Sequence, residues 1–172
     1  MIKSKIAMIK RSIILLFIII NLVSVGFAQT DSFDVFTYKP PEFFTKSELP
    51  LSVQFNLANN DTSFCTMTLY KSRPAKANIS KDVSRQWNEQ VVKQLSKADK
   101  KPGRIYTQQM WDGWASTVAI GNFFQNNEKS VVMLHSFRNN NVSASAVIAF
   151  SVKIFKGPVE NFSRNLHLIN RK

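Results

Sequence analysis

Trp114-Ala115-Ser116-Thr117-Val118-Ala119-Ile120-Gly121-Asn122-Phe123-Phe124-Gln125-Asn126-Asn127 contains no charged side chain, and neither does Asn139-Asn140-Asn141-Val142-Ser143-Ala144-Ser145-Ala146-Val147-Ile148-Ala149-Phe150-Ser151-Val152. In the first stretch Trp114, Val118, Ile120 and Phe124 fall on one face, and Ala115, Thr117, Ala119 and Gly121 on the other, which is the period of a β-strand. In the second, Val142, Ala144, Ala146, Ile148 and Phe150 share a face opposite Ser143, Ser145, Val147 and Ala149. Residues 131–137 predict a strand between them, and Asn126-Asn127-Glu128 and Asn139-Asn140-Asn141 supply the turns of an antiparallel meander. A sheet face open to water normally carries Lys or Glu. The small, uncharged second face is therefore expected to be covered by a helix, the alternative being that it lines a ligand groove.

Upstream, Leu51, Val53, Phe55 and Leu57 alternate with Ser52, Gln54 and Asn56, and after the turn chemistry of Ala58-Asn59-Asn60-Asp61-Thr62 residues 64–70 return as a hairpin. Phe33-Asp34-Val35-Phe36-Thr37-Tyr38 predicts one short edge strand, stopped by Pro40-Pro41, which bring no ladder donors. Val83, Trp87, Val91 and Leu95 recur every four residues and predict an amphipathic helix capped by Ser80 or Asp82. A charged loop, Lys97-Ala98-Asp99-Lys100-Lys101-Pro102-Gly103-Arg104, follows it. Gly157-Pro158 opens a terminal helix with Val159, Phe162 and Leu166 as its stripe, His167 standing at its end. Two helices and one sheet with two uncharged faces predict an α+β fold, an antiparallel sheet with helices packed on both faces.

The run Phe36-Thr37-Tyr38-Lys39-Pro40-Pro41-Glu42-Phe43-Phe44, the hairpin residues Phe64-Cys65-Thr66-Met67-Thr68-Leu69-Tyr70-Lys71-Ser72, and the helix positions Asp82, Trp87, Val91, Val92 and Lys93 carry a resemblance. The order of features resembles small, mostly uncharacterised exported proteins of Bacteroidetes-type bacteria. Many of those place a tryptophan after a tyrosine and two prolines, where Phe43 and Phe44 stand here. Their layout is similar to the PsbP-like α/β/α sandwich of photosystem II accessory proteins and other small adaptors. The resemblance implies a fold and brings no catalytic residues with it.

Residues 1–28 are set apart from the domain. A basic stretch to Arg11 precedes an apolar run from Ile13 to Ile20, continued by Leu22, Val23 and Val25, and Gly26 and Ala28 flank Phe27. That order predicts a cleaved export signal and a single domain at 29–172. Asn21 interrupts the run, which falls short of the ~20 residues of a comfortable membrane span. The product is expected to be released, secreted or periplasmic. The whole chain has 23 Lys+Arg against 11 Asp+Glu; without Lys3, Lys5, Lys10 and Arg11 the balance is 19 against 11, or +8. The single cysteine, Cys65, excludes an internal disulfide and, far from Gln29, excludes a lipid anchor at a new N-terminus; its apolar strand neighbours Met67 and Leu69 predict a buried side chain.

The residue inventory argues against most enzyme chemistry. Two histidines, His135 and His167, have no ligand-type neighbours at helical or turn spacing, so no metal is implied. No Gly-x-Ser-x-Gly occurs, and Gly103, Gly113, Gly121 and Gly157 are too scattered for a phosphate-cradling loop. The acids fall in predicted turns, caps and helix faces. No cofactor is implied and no nucleic-acid module is visible. Two surface features remain as candidates: the basic group Lys93, Lys97, Lys100, Lys101 and Arg104, suited to an anionic envelope component or another envelope protein, and the aromatic pair Trp111 and Trp114 around Asp112-Gly113. The expected function is that of an exported, non-catalytic accessory or binding domain. Its alternative is a small-ligand carrier using an uncharged sheet-face groove; an enzyme built on scattered carboxylates ranks below both.

Overall fold

The computed structural model describes residues 30–60, 63–109, 113–151 and 156–169. Strands β1 (Asp31–Phe33), β2 (Phe36–Tyr38), β3 (Thr45–Leu49), β4 (Ser52–Asn60) and β5 (Ser63–Pro74) come first. Helix α1 (Ile79–Gln86) follows and runs into a π-helical turn (Trp87–Val92). Then come β6 (Arg104–Gln109), β7 (Ala115–Gln125), β8 (Glu128–Asn139), β9 (Val142–Phe150), α2 (Lys156–Asn165) and β10 (His167–Leu168). The signal-like residues 1–28 lie outside the described residues.

Seven strands form one sheet in the order β3-β4-β5-β9-β8-β7-β6, and β1-β2-β10 form a second, small sheet. Every pairing among the described strands is antiparallel. The meander β7-β8-β9 has the expected turns, its left-handed Asn126 and Asn127 being the residues that best tolerate positive φ after glycine. Period two places Val53, Phe55, Cys65, Met67, Leu69, Ala146 and Ile148 on a front face, where Val159 and Phe162 of α2 and Phe36 and Tyr38 of β2 cover them. Phe55 meets Phe162 at 5.8 Å between ring centroids and Tyr38 at 5.3 Å edge-on. On the back face Ala119, Phe123, Val132, Leu134, Val147 and Ala149 pack against Val83, Trp87 and Val91 of α1 and its π-helical turn. Helices on opposite faces of an antiparallel sheet make the α/β/α sandwich, and the small-residue face is covered as expected.

Three local readings are corrected, and two edge strands come in addition to those expected. The predicted edge strand at 33–38 is a tight hairpin, β1 to β2, because Asp34 turns the chain with φ +55 and Asp31 pairs with Tyr38. The cap of α1 is Asn78, whose Oδ1 accepts the Lys81 amide at 2.9 Å, and Asp82 sits inside the first turn. His167 is a strand residue, opposite Thr37 in the small sheet. Edge strands β3 and β6 carry too many polar residues to show an apolar period, yet backbone pairing with β4 and β7 holds them.

Candidate functional site

The back face carries the candidate site, where buried polar contacts fix α1 and its π-helical turn to the sheet. Asp82, 0% exposed, accepts from Arg85 Nη2 at 3.0 Å, from the Lys76 amide at 3.0 Å, and from Arg138 Nη1 of β8. A buried carboxylate needs such partners, and here they lock the helix start to the sheet. Gln86 Nε2 donates to Ser143 Oγ at 2.7 Å, and Ser145 Oγ donates to Gln90 Oε1 at 2.8 Å. Trp87 packs against Gly121: a Cβ there would stand 2.8 Å from the indole ring, so only glycine admits this contact. The Trp87 indole N–H donates to the Asp99 carbonyl at 2.9 Å.

Asp99 also organises the loop after the helix. Its Oδ2 accepts from the Asn122 amide at 2.8 Å and from Asn122 Nδ2 at 3.0 Å, while Gly103 N donates to the Ile120 carbonyl at 2.8 Å. With both ends clamped on β7, residues 100–102 are presented beside α1. They close a cavity of about 550 Å³ whose lining includes Ile79, Val83, Trp87, Ile105, Lys100 and Lys101. Its remaining walls are the hydroxyls of Ser80, Ser84, Thr107 and Thr117 and the ring of Pro102. The lining combines apolar side chains with two lysines, a composition suited to an acidic group on an apolar body.

The five predicted basic residues do not converge. Lys100 and Lys101 share this cavity, Lys97 lines a groove at the other end of the helix, and Lys93 and Arg104 are exposed apart from both. None of the five is ion-paired among the described residues. The aromatic pair is corrected: Trp114 is 2% exposed and belongs to the front-face core, so it offers no surface contact. Trp111 lies outside the described residues. Phe43, which stands after the two prolines in the run that carries the resemblance, is 89% exposed at φ +67, a backbone conformation rare for a bulky side chain.

No group of three His, Cys, Asp or Glu that would hold a metal occurs among the described residues. Burial pushes the Cys65 thiol up to about 12, which keeps it protonated and poorly nucleophilic. Burial pushes His135 down to about 4, a neutral imidazole in the sheet with Nε2 unpartnered. Ser136, next to it, faces the opposite side of β8, so the two form no nucleophile–base pair.

No family model matches the chain, and no curated protein matches it in sequence. Among solved structures, the solution structure of cyanobacterial PsbP (CyanoP) from Synechocystis sp. PCC 6803 superposes with a TM-score of 0.57 at 8% identity. The fold is PsbP-like. The superposition covers 85% of this chain and 96% of the PsbP chain. At that identity the likeness carries the architecture, and no side chain of the site is carried over with it. Among the described residues no helix is long and apolar enough to cross a membrane.

Proposed function

We propose that the protein is an exported, non-catalytic accessory domain of the cell envelope that works by binding, and that it takes an anionic envelope component at the cavity between α1 and β6. The observation that carries this reading is the pairing of Lys100 and Lys101, both free of carboxylates, with the apolar lining of Ile79, Val83 and Ile105. An ammonium left unpaired beside apolar surface gains most from an anion that brings its own hydrocarbon. The PsbP-like architecture, the +8 balance of residues 29–172 and the signal-like segment 1–28 all support the same reading.

Vesicle sedimentation tests it. The chain 29–172 is mixed with phosphatidylglycerol or phosphatidylcholine vesicles at rising salt, beside the pair Lys100→Gln/Lys101→Gln and a charge-matched control, Lys71→Gln/Lys129→Gln. Retention on the anionic vesicles that falls with salt and drops only in the first pair is expected. Equal retention of both pairs, or retention indifferent to salt, removes the cavity from the reading. N-terminal sequencing of the protein recovered outside the cytoplasm checks the export step, with Gln29 as the expected first residue.

A further inference from the structure

We propose that β6 is a docking edge, where an extended acidic segment of a partner protein adds to the seven-stranded sheet and sets its side chains at the cavity beside α1. The proposal rests on the anionic site read above and names the kind of component that fills it. β6 ends the strand order on one side, and among the described residues it pairs with β7 alone. Its outer backbone N–H and C=O groups therefore form a template for one more strand. The pairs from Arg104 to Gln109 run without a register shift, so that template is regular.

The two edges of the sheet differ in a way that singles out β6. Native edges are blunted by charges, by proline or by bulges. β3 is protected in this manner: its five residues include Lys46 and Glu48, Lys46 pairs with Asp31 at 2.6 Å and with Glu48 at 2.7 Å, and Pro50 follows. β6 continues after Arg104 as Ile105-Tyr106-Thr107-Gln108-Gln109, with no charge and no proline, and opens that run on three strand-forming residues. Ile105 and Tyr106 are each 55% exposed, and as strand neighbours they point to opposite faces.

The surroundings select the segment. Strand addition draws affinity from main-chain bonds and selectivity from pockets that take alternate side chains. Ile105 and Thr107 line the cavity of about 550 Å³, so the side chains that an added strand sends to the back face arrive beside Lys100 and Lys101. Those lysines and Arg104 have no carboxylate partner among the described residues, which favours acids at that phase. The intervening side chains meet Tyr106 on the front face, where β-branched residues pair well with an aromatic ring. An anionic lipid meets the lysines and leaves the β6 backbone unpaired. A second copy paired through β6 brings Lys100, Lys101 and Arg104 to the same edge again, so like charge opposes that occupant.

The experiment titrates residues 29–172 into a fluorescein-labelled nonapeptide of alternating Glu and Val, read by anisotropy. Saturable binding is expected, weakened at least tenfold by Lys100→Gln/Lys101→Gln and unchanged by Lys71→Gln/Lys129→Gln. A nonapeptide of the same composition with its acids in one block is expected to bind at least tenfold more weakly. Two further analogues carry N-methyl groups on alternate amides, one in each phase; the phase that removes the N–H groups facing β6 is expected to lose binding at least tenfold, and the other to keep it. No binding, equal binding by the block peptide, or equal behaviour of the two methylated analogues overturns strand addition, while a lysine effect that persists keeps the anionic site. Binding indifferent to the lysine pair overturns both. A dimer of the free protein that Ile105→Glu dissociates assigns the edge to a second copy and also overturns the proposal.

Discussion

Acidification should weaken the fold through His135. This histidine lies on the front face of β8, opposite Val118 and Ala146 and 6.2 Å from the Phe137 ring, with Nε2 buried and unpartnered. Burial lowers its pKa from 6.5 to about 4. Because the folded value is below the unfolded one, the unfolded chain binds a proton first, and stability is lost as pH falls from 6.5 toward 4. At 1.36 kcal/mol per unit, the linkage amounts to about 2 kcal/mol between pH 7 and 5 and about 3 kcal/mol by pH 4, with little further change below. Carboxylates titrate over part of the same range, so the test is a difference. Urea unfolding of the wild type and of His135→Leu, run from pH 7 to pH 4, cancels every group but this one. The stability gap is expected to move in the variant's favour by about 3 kcal/mol over that interval. Two parallel stability–pH curves would mean that the imidazole is hydrated or paired in the folded protein, and the account of its burial would fail.

Three other perturbations test the back face. Gly121→Ala forces a methyl into the Trp87 ring and should destabilise by about 1–3 kcal/mol in urea, with a red shift of tryptophan emission; an unchanged midpoint would show that the indole is free to move. Asp82→Ala strands Arg85 and Arg138 without their carboxylate and should cost about 3–5 kcal/mol, whereas a loss under 1 kcal/mol would place those guanidinium groups in water. Asn78→Ala removes the cap of α1 and should cost about 1 kcal/mol, while Asn78→Asp should retain most of it, as thermal unfolding would show.

Much of the sandwich was legible in the sequence because strands alternate their side chains between two faces, as the burial of β7 and β8 shows, while β9, buried on both faces, was legible from its lack of charge. The uncharged stretches around Ala119 and Val147 also announced a helix on the second face, and α1 lies there. What stayed hidden was held by forces that leave no periodic mark. Edge strands β3 and β6 need only backbone pairing on one side, so Lys46, Glu48 and Arg104 are tolerated in them. Asp82 read as a cap because its partner Arg138 is 56 residues away in the chain. Both cavities are assembled from a helix, a loop and strands far apart in sequence, and the lysines of one loop divide between them. Trp114 misled for a different reason: an amphipathic ring beside a turn suits a surface and a core alike, and Trp114 completes the front-face core.

One helix and its π-helical turn thus stand over two hollows of different lining on the back face. At the capped end of α1, Lys100 and Lys101 share a lining with Ile79, Val83 and Ile105, while at the π-helical end the lining includes Gln90, Gln94, Thr66 and Thr68. Trp87 joins the two: its ring lines the first cavity, and its backbone opens the turn that carries Gln90 into the second. Its position depends on Gly121 below and the Asp99 carbonyl beside it. Charge changes at Lys100 and Lys101 act on one end alone. A methyl at Gly121 displaces the indole and therefore disturbs both ends at once.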